Sequence, residues 1–178
     1  MVSPVLKLRK DVWPLILLAL DNFSPVRGLA RLHLMFFIYH YVGYNYVPCL
    51  LGPYSPELEG ALRNLVRAGL VKVILVREGK RRMRVYQLTE EGRRVAEGLL
   101  SKLATANLEL GGVLVIKGSE VLKDLESIKK YYKDKPLSLL LRKCLKEIER
   151  DEPYHLRARL NEDIKAFVKD LAEELGLL

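Results

Sequence analysis

The order of helix-forming and strand-forming segments predicts a mainly α chain with a small β-wing: a winged helix-turn-helix followed by a C-terminal helical extension. Three observations predict it. Residues 1–106 read as helix, helix, short strand, helix, strand, turn, strand, helix. Nearly all the excess positive charge lies in that part: residues 1–100 hold 15 Lys and Arg against 8 Asp and Glu, and residues 101–178 hold 15 against 14. Arg77, Lys80, Arg81, Arg82 and Arg84 crowd around Gly79 between two strand-forming runs. The expected division is 1–106 for the winged part and 107–178 for a helical region that packs, dimerises or binds a partner.

Asp11 is positioned to cap a first helix, with Pro14 in its first turn, where a missing N–H costs little. Val12, Leu15, Ile16, Ala19 and Leu20 repeat at helical spacing, and Asp21-Asn22 with Ser24-Pro25 ends the run. A second helix is expected over 26–42, with Leu29, Leu32, Met35, Phe36 and Tyr39 as a one-sided stripe and Gly43 as its stop. Tyr46 to Leu51 reads as a brief strand and Gly52-Pro53-Tyr54 as a turn. Ser55-Pro56-Glu57 is a helix start: Ser as N-cap, Pro at the first helical position, Glu at the positive end of the dipole. Leu58, Leu62, Leu65, Val66 and Leu70 are the buried stripe of that third helix, which Gly69 ends.

Val71 to Val76 and Met83 to Leu88 flank the turn Glu78-Gly79-Lys80, so a β-hairpin is expected. Thr89 caps the next helix, which runs to about Ala106. Beyond it, Leu110 to Gly118 holds Gly111-Gly112 and a short apolar run. Ser119 opens a helix through Tyr132 and Pro136 another through Arg150. Asp151-Glu152-Pro153 breaks that one, and Asn161 caps a last helix. Leu137, Leu139, Leu140, Leu141, Leu145 and Ile148 make one apolar-rich helix; Leu160, Ile164, Phe167, Val168, Leu171 and Leu175 form a second stripe. Any surplus would make a homodimer interface.

Composition excludes several classes. With 178 residues, 49% hydrophobic and 29% charged, the chain is a folded protein, neither disordered nor collagenous. Cys49 and Cys144 make neither a disulfide framework nor a zinc site. His33, His40 and His155 share no ligand spacing with them, so no metal is expected. The longest apolar runs, Pro14 to Leu20 and Leu34 to Ile38, fall far short of the roughly 20 residues of a membrane span. Met1 to Asp11 lacks a secretory pattern, so a cytoplasmic setting is the default. One glutamine, Gln87, among many Arg, Lys and Glu suits heat adaptation. No nucleophile–base set, phosphate loop or paired carboxylates stand out, so neither an enzyme nor a cofactor is expected.

Three stretches carry a family likeness: Pro25-Val26-Arg27-Gly28-Leu29-Ala30-Arg31-Leu32, then Leu51-Gly52-Pro53-Tyr54-Ser55-Pro56-Glu57-Leu58, then Ile128 to Tyr132 leading to Glu152-Pro153-Tyr154. Together they resemble the YwgA-like family of archaea and bacteria, related to the Panacea (SocA-like) antitoxin domain. Gly-Pro-Tyr-Ser before a helix is the most specific part. Leu29-Ala30 and His33 depart from the family pattern. Tyr86-Gln87-Leu88-Thr89-Glu90-Glu91-Gly92-Arg93 is similar to the wing-to-helix junction of PadR- and MarR-type repressors. The resemblance implies a winged fold, used for DNA or, as in antitoxins, for a protein partner.

The positive excess favours a polyanion, whether DNA, RNA or a membrane surface, and does not choose between them; the winged pattern makes double-stranded DNA the expected partner. The hairpin cations Arg77, Lys80, Arg81, Arg82 and Arg84 suit phosphate or the minor groove, since a guanidinium fork binds phosphate bidentately. The helix 55–68 would lie toward the major groove, presenting Arg63, Asn64 and Arg67, with Lys72 just after it. Arg27 and Arg31 are further phosphate candidates, and Leu6-Lys7-Leu8-Arg9-Lys10 is a basic arm. Glu57 and Glu59 would repel the DNA backbone, which keeps open the alternative of a protein-interaction module without DNA specificity. Tyr39, Tyr41, Tyr44, Tyr46 and Tyr54 read as packing around the loop before the third helix, and Cys49 as core.

Overall fold

The computed structural model describes residues 4–112, 114–150 and 162–178. In chain order the strands are β1 (Val5–Lys7), β2 (Val26–Arg27), β3 (Val47–Cys49), β4 (Gly52–Tyr54), β5 (Val71–Glu78), β6 (Arg81–Leu88), β7 (Asn107–Leu110) and β8 (Leu114–Lys117). The helices are α1 (Trp13–Phe23), α2 (Leu29–Ile38), α3 (Pro56–Arg67), α4 (Glu90–Thr105), α5 (Gly118–Tyr132), α6 (Leu137–Glu149) and α7 (Glu162–Glu174). The expectation of a mainly α winged helix with one small wing is therefore wrong. The described residues form a mixed α/β protein with strands in three separate sheets.

The extra strands come from segments too short to show an alternating pattern. The basic arm supplies β1, which pairs in parallel with β7, and β8 completes that sheet. Val26 and Arg27, expected to open the second helix, form β2 beside β6; Gly28, at φ 91°, turns the chain into α2. Gly52 to Tyr54, expected as a turn, is β4, paired with β3 so that Pro48 faces Pro53. Neither proline has an N–H to lose, so a two-stranded ribbon tolerates both.

α1 and α2 are the centre of the core. Leu15 to Leu20 and Leu32 to Ile38 are buried on every side, because α4 and α5 pack on α1 while α6 packs on α2. The one-sided stripe expected of α2 thus understates its burial. Leu140, Leu141, Cys144, Leu145 and Ile148 of α6, with Ile164, Val168 and Ala172 of α7, belong to the same core cluster. Most of both stripes is therefore used inside the chain, while Leu175 stays exposed. Asp151-Glu152-Pro153, Tyr154, His155, Leu160 and the Asn161 cap lie outside the described residues.

The end of α1 is unusual. Helical dihedrals stop at Leu20, and Asp21, Asn22 and Phe23 are all left-handed, with φ of 56°, 53° and 57°. The carbonyls freed there are met from α5: buried Lys129 donates through Nζ to Leu18 O at 3.0 Å and Leu20 O at 2.7 Å. Lys133 pairs with Asp21 at 2.6 Å, and Asp21 N–H donates to Glu126 at 3.1 Å. Asp11, in turn, is not the cap of α1; its carboxylate accepts from Arg9 at 2.8 Å.

Candidate nucleic-acid interface

The third helix starts as its residues dictate. Ser55 Oγ accepts the Leu58 N–H at 3.3 Å, and Ser55 N–H donates to Nδ1 of buried His33 at 3.0 Å. Burial depresses the His33 imidazole to about 4. Its ring also lies 4.7 Å from that of Tyr54, whose hydroxyl donates to Glu59. The Gly-Pro-Tyr-Ser motif is thus a buried strand leading into a capped helix.

The hairpin register decides which cations act together. In β5–β6, Val73 faces Tyr86, Leu75 faces Arg84 and Arg77 faces Arg82; Ile74 faces Val85 and Glu78 faces Arg81. Directly opposed residues share a face of the sheet, and faces alternate along each strand. Val73, Arg84 and Tyr86 line a groove of about 320 Å³ together with Leu62, Arg63, Val66 and Arg67 of α3. So Arg84, Arg82 and Arg77 lie on the sheet face that looks toward α3. Glu78 and Arg81 lie on the other.

Arg63, Arg67, Arg77, Arg82 and Arg84 are exposed. None forms an ion pair with a carboxylate among the described residues. Arg77 donates to Gly79 O at 3.2 Å, within the turn. Lys80, at the tip, and Lys72, on the opposite face of β5, are exposed too. Asn64 is exposed on α3 but does not line the groove.

Other expected contacts are spent inside the fold. Arg27 pairs with Glu78 at 2.8 Å on the face away from the groove. Arg31 donates to the carbonyls of Arg27, Tyr132 and Lys135, tying the start of α2 to the end of α5. In the basic arm, Lys7 pairs with Glu109 at 3.2 Å and Lys10 with Glu57 at 2.9 Å. Glu57 also accepts the Asn45 N–H at 2.8 Å, so the acidic start of α3 is engaged with the N-terminal segment. The tyrosines pack as expected: Tyr44 on Phe36 and Tyr46 on Phe37, at ring distances of 5.4 and 5.0 Å. Cys49, expected in the core, is exposed because all of β3 faces outward; Cys144 is the buried one.

Glu59, expected only as a repulsive charge near the start of α3, is part of the groove itself, which it lines with Arg63 and Arg67. The three stand at intervals of four on α3, a spacing that places them on one face and is visible in the sequence. Among the described residues no cluster of three or more metal-ligating side chains occurs, and no helix is long and apolar enough to cross a membrane.

A scan against protein-family models, a search of curated proteins and a search of solved structures each return no match. The likeness to YwgA-like and Panacea-related proteins rests on the quoted motifs alone.

Proposed function

We propose that this chain binds double-stranded DNA and serves as a transcriptional regulator. It grips the duplex with the C-terminal half of α3 and the α3-facing side of the β5–β6 hairpin. The observation that carries this reading is the convergence of Arg63 and Arg67 with Arg84 on one groove, extended along the same sheet face by Arg82 and Arg77. Guanidinium groups without a carboxylate partner among the described residues, arrayed on a helix and a neighbouring hairpin, suit a row of phosphates better than one small ligand. The N-terminal turn of α3 packs against the segment around Lys10. Recognition helices usually lead with that end. The reading therefore gives phosphate contact the larger share and base reading the smaller.

A second reading keeps the same groove for a protein. Its lining includes Leu29, Leu62, Val66 and Val73, and an apolar floor rimmed by arginines suits an acidic amphipathic segment. Fluorescence anisotropy of random duplex DNA across a salt series separates the two. The DNA reading expects roughly micromolar affinity that falls steeply with salt. Absence of binding at low salt would reject it in favour of the protein reading.

A further inference from the structure

β5 is an edge strand. It pairs with β6 on one side, and among the described residues no strand pairs with its other side. An edge of eight residues is long, and such edges are ordinarily blunted by a bulge, a proline or charged side chains; β5 has no proline, and its charges, Lys72, Arg77 and Glu78, stand toward its ends. This one carries Val73, Ile74 and Leu75 in succession, all exposed, with Leu75 exposed to 67%. We propose that β5 pairs antiparallel with β5 of a second copy of this chain, with Leu75 opposite its own symmetry mate, to give a continuous six-stranded sheet across a two-fold axis.

The register follows from two constraints. In an antiparallel pair, opposed residues either both turn their N–H and C=O toward each other or both turn them away. The outward groups of β5 belong to alternate residues, so odd-numbered residues must face odd and even must face even. Charge then selects among the centres that remain. Centring on Val76 sets Lys72 against Lys80 of the second copy. Centring on Val73 or Ile74 sets Lys72 against an apolar residue. Centring on Leu75 sets Lys72 against Glu78 of the second copy, twice by symmetry, with Ile74 against Val76 and Val73 against Arg77. Glu78 is half exposed and already beside Arg27, so it would sit between two cations of opposite origin.

The two-fold axis of such a sheet is perpendicular to it. Both copies would turn the same sheet face to the same side, and Arg77, Arg82 and Arg84 of each would join one basic surface. That last consequence rests on the DNA reading; the dimer does not.

The test is the mass of the full chain by sedimentation equilibrium, without nucleic acid. The expected mass is twice 20.4 kDa. Lys72→Glu and Glu78→Lys each set like charges opposite one another, so each should weaken the dimer by about tenfold or more. The double exchange, Lys72→Glu with Glu78→Lys, should restore it. Leu75→Cys in a Cys49→Ser background should cross-link under oxidation, which keeps the test informative if a charge variant folds poorly. A wild-type chain that stays monomeric, or a double exchange no tighter than either single variant, would overturn the proposal. A DNA-binding monomer would overturn the dimer and leave the DNA reading standing.

Discussion

Ser55 donates its backbone N–H to Nδ1 of His33 across 3.0 Å, inside the core, where the chain turns from β4 into α3. The bond needs an unprotonated Nδ1. It therefore fixes both the tautomer of His33 and the start of the helix that carries Arg63 and Arg67.

Acid should loosen this junction. The imidazole is depressed to about 4 in the fold from 6.5, so between those values the unfolded chain binds more protons. Stability is complete above about pH 6.5 and falls as pH drops toward 4, by no more than about 3 kcal/mol. Urea unfolding at a series of pH values measures it. His33→Phe should flatten the dependence in that window. An unchanged slope would show that His33 is not its source.

Buried Lys129 gives the same sign in the alkaline range. Burial pushes its amine down to about 7 from 10.5, against the opposing pull of Asp21. Between those values the unfolded chain again holds the extra proton, so stability should rise as pH increases from about 7 to about 10.5. Asp21, Glu126 and Lys133 share the site and should modulate the rise without reversing it. Lys129→Met should remove it, and at pH 7 should also cost about 1–3 kcal/mol for the carbonyls of Leu18 and Leu20 left without a donor. Melting temperatures of both proteins across the alkaline range check this.

The hairpin is clamped to α4 by one residue and one absence. Thr89 Oγ1 donates to Gly69 O at 2.6 Å and accepts the Gly92 N–H at 3.0 Å. A Cβ on Gly92 would lie 1.9 Å from the backbone oxygen of Leu70. Gly92→Ala should therefore destabilise by about 3 kcal/mol, against about 1 kcal/mol for Thr89→Ala. Chemical denaturation ranks them, and equal costs would contradict the close approach.

The sequence announced the parts of this fold that rest on local chemistry. Ser55-Pro56-Glu57, the Glu78-Gly79-Lys80 turn and the Thr89 cap each satisfy backbone groups within a few residues, and each lies where expected. The fold class was missed because β1 and β2 take their identity from partners about 100 and about 60 residues away, which no local pattern encodes. The site was half legible. A run of arginines around Gly79 names the hairpin as basic, but only the register tells Arg82 from Arg81. Arg31 has the same composition signal as Arg63, yet it serves the carbonyls of Tyr132 and Lys135.

That distinction gives the most direct measurement. Anisotropy titrations of duplex DNA across salt should be run with wild type, Arg82→Ala and Arg81→Ala, with Arg63→Ala/Arg67→Ala as a fourth protein. Arg82→Ala should weaken binding and lower the salt slope by about 1, and the α3 double variant should lower it by about 2. Arg81→Ala, on the far face beside Glu78, should change both little. Equal losses for Arg81 and Arg82, or no binding by wild type at low salt, would contradict a DNA-gripping face between α3 and the hairpin.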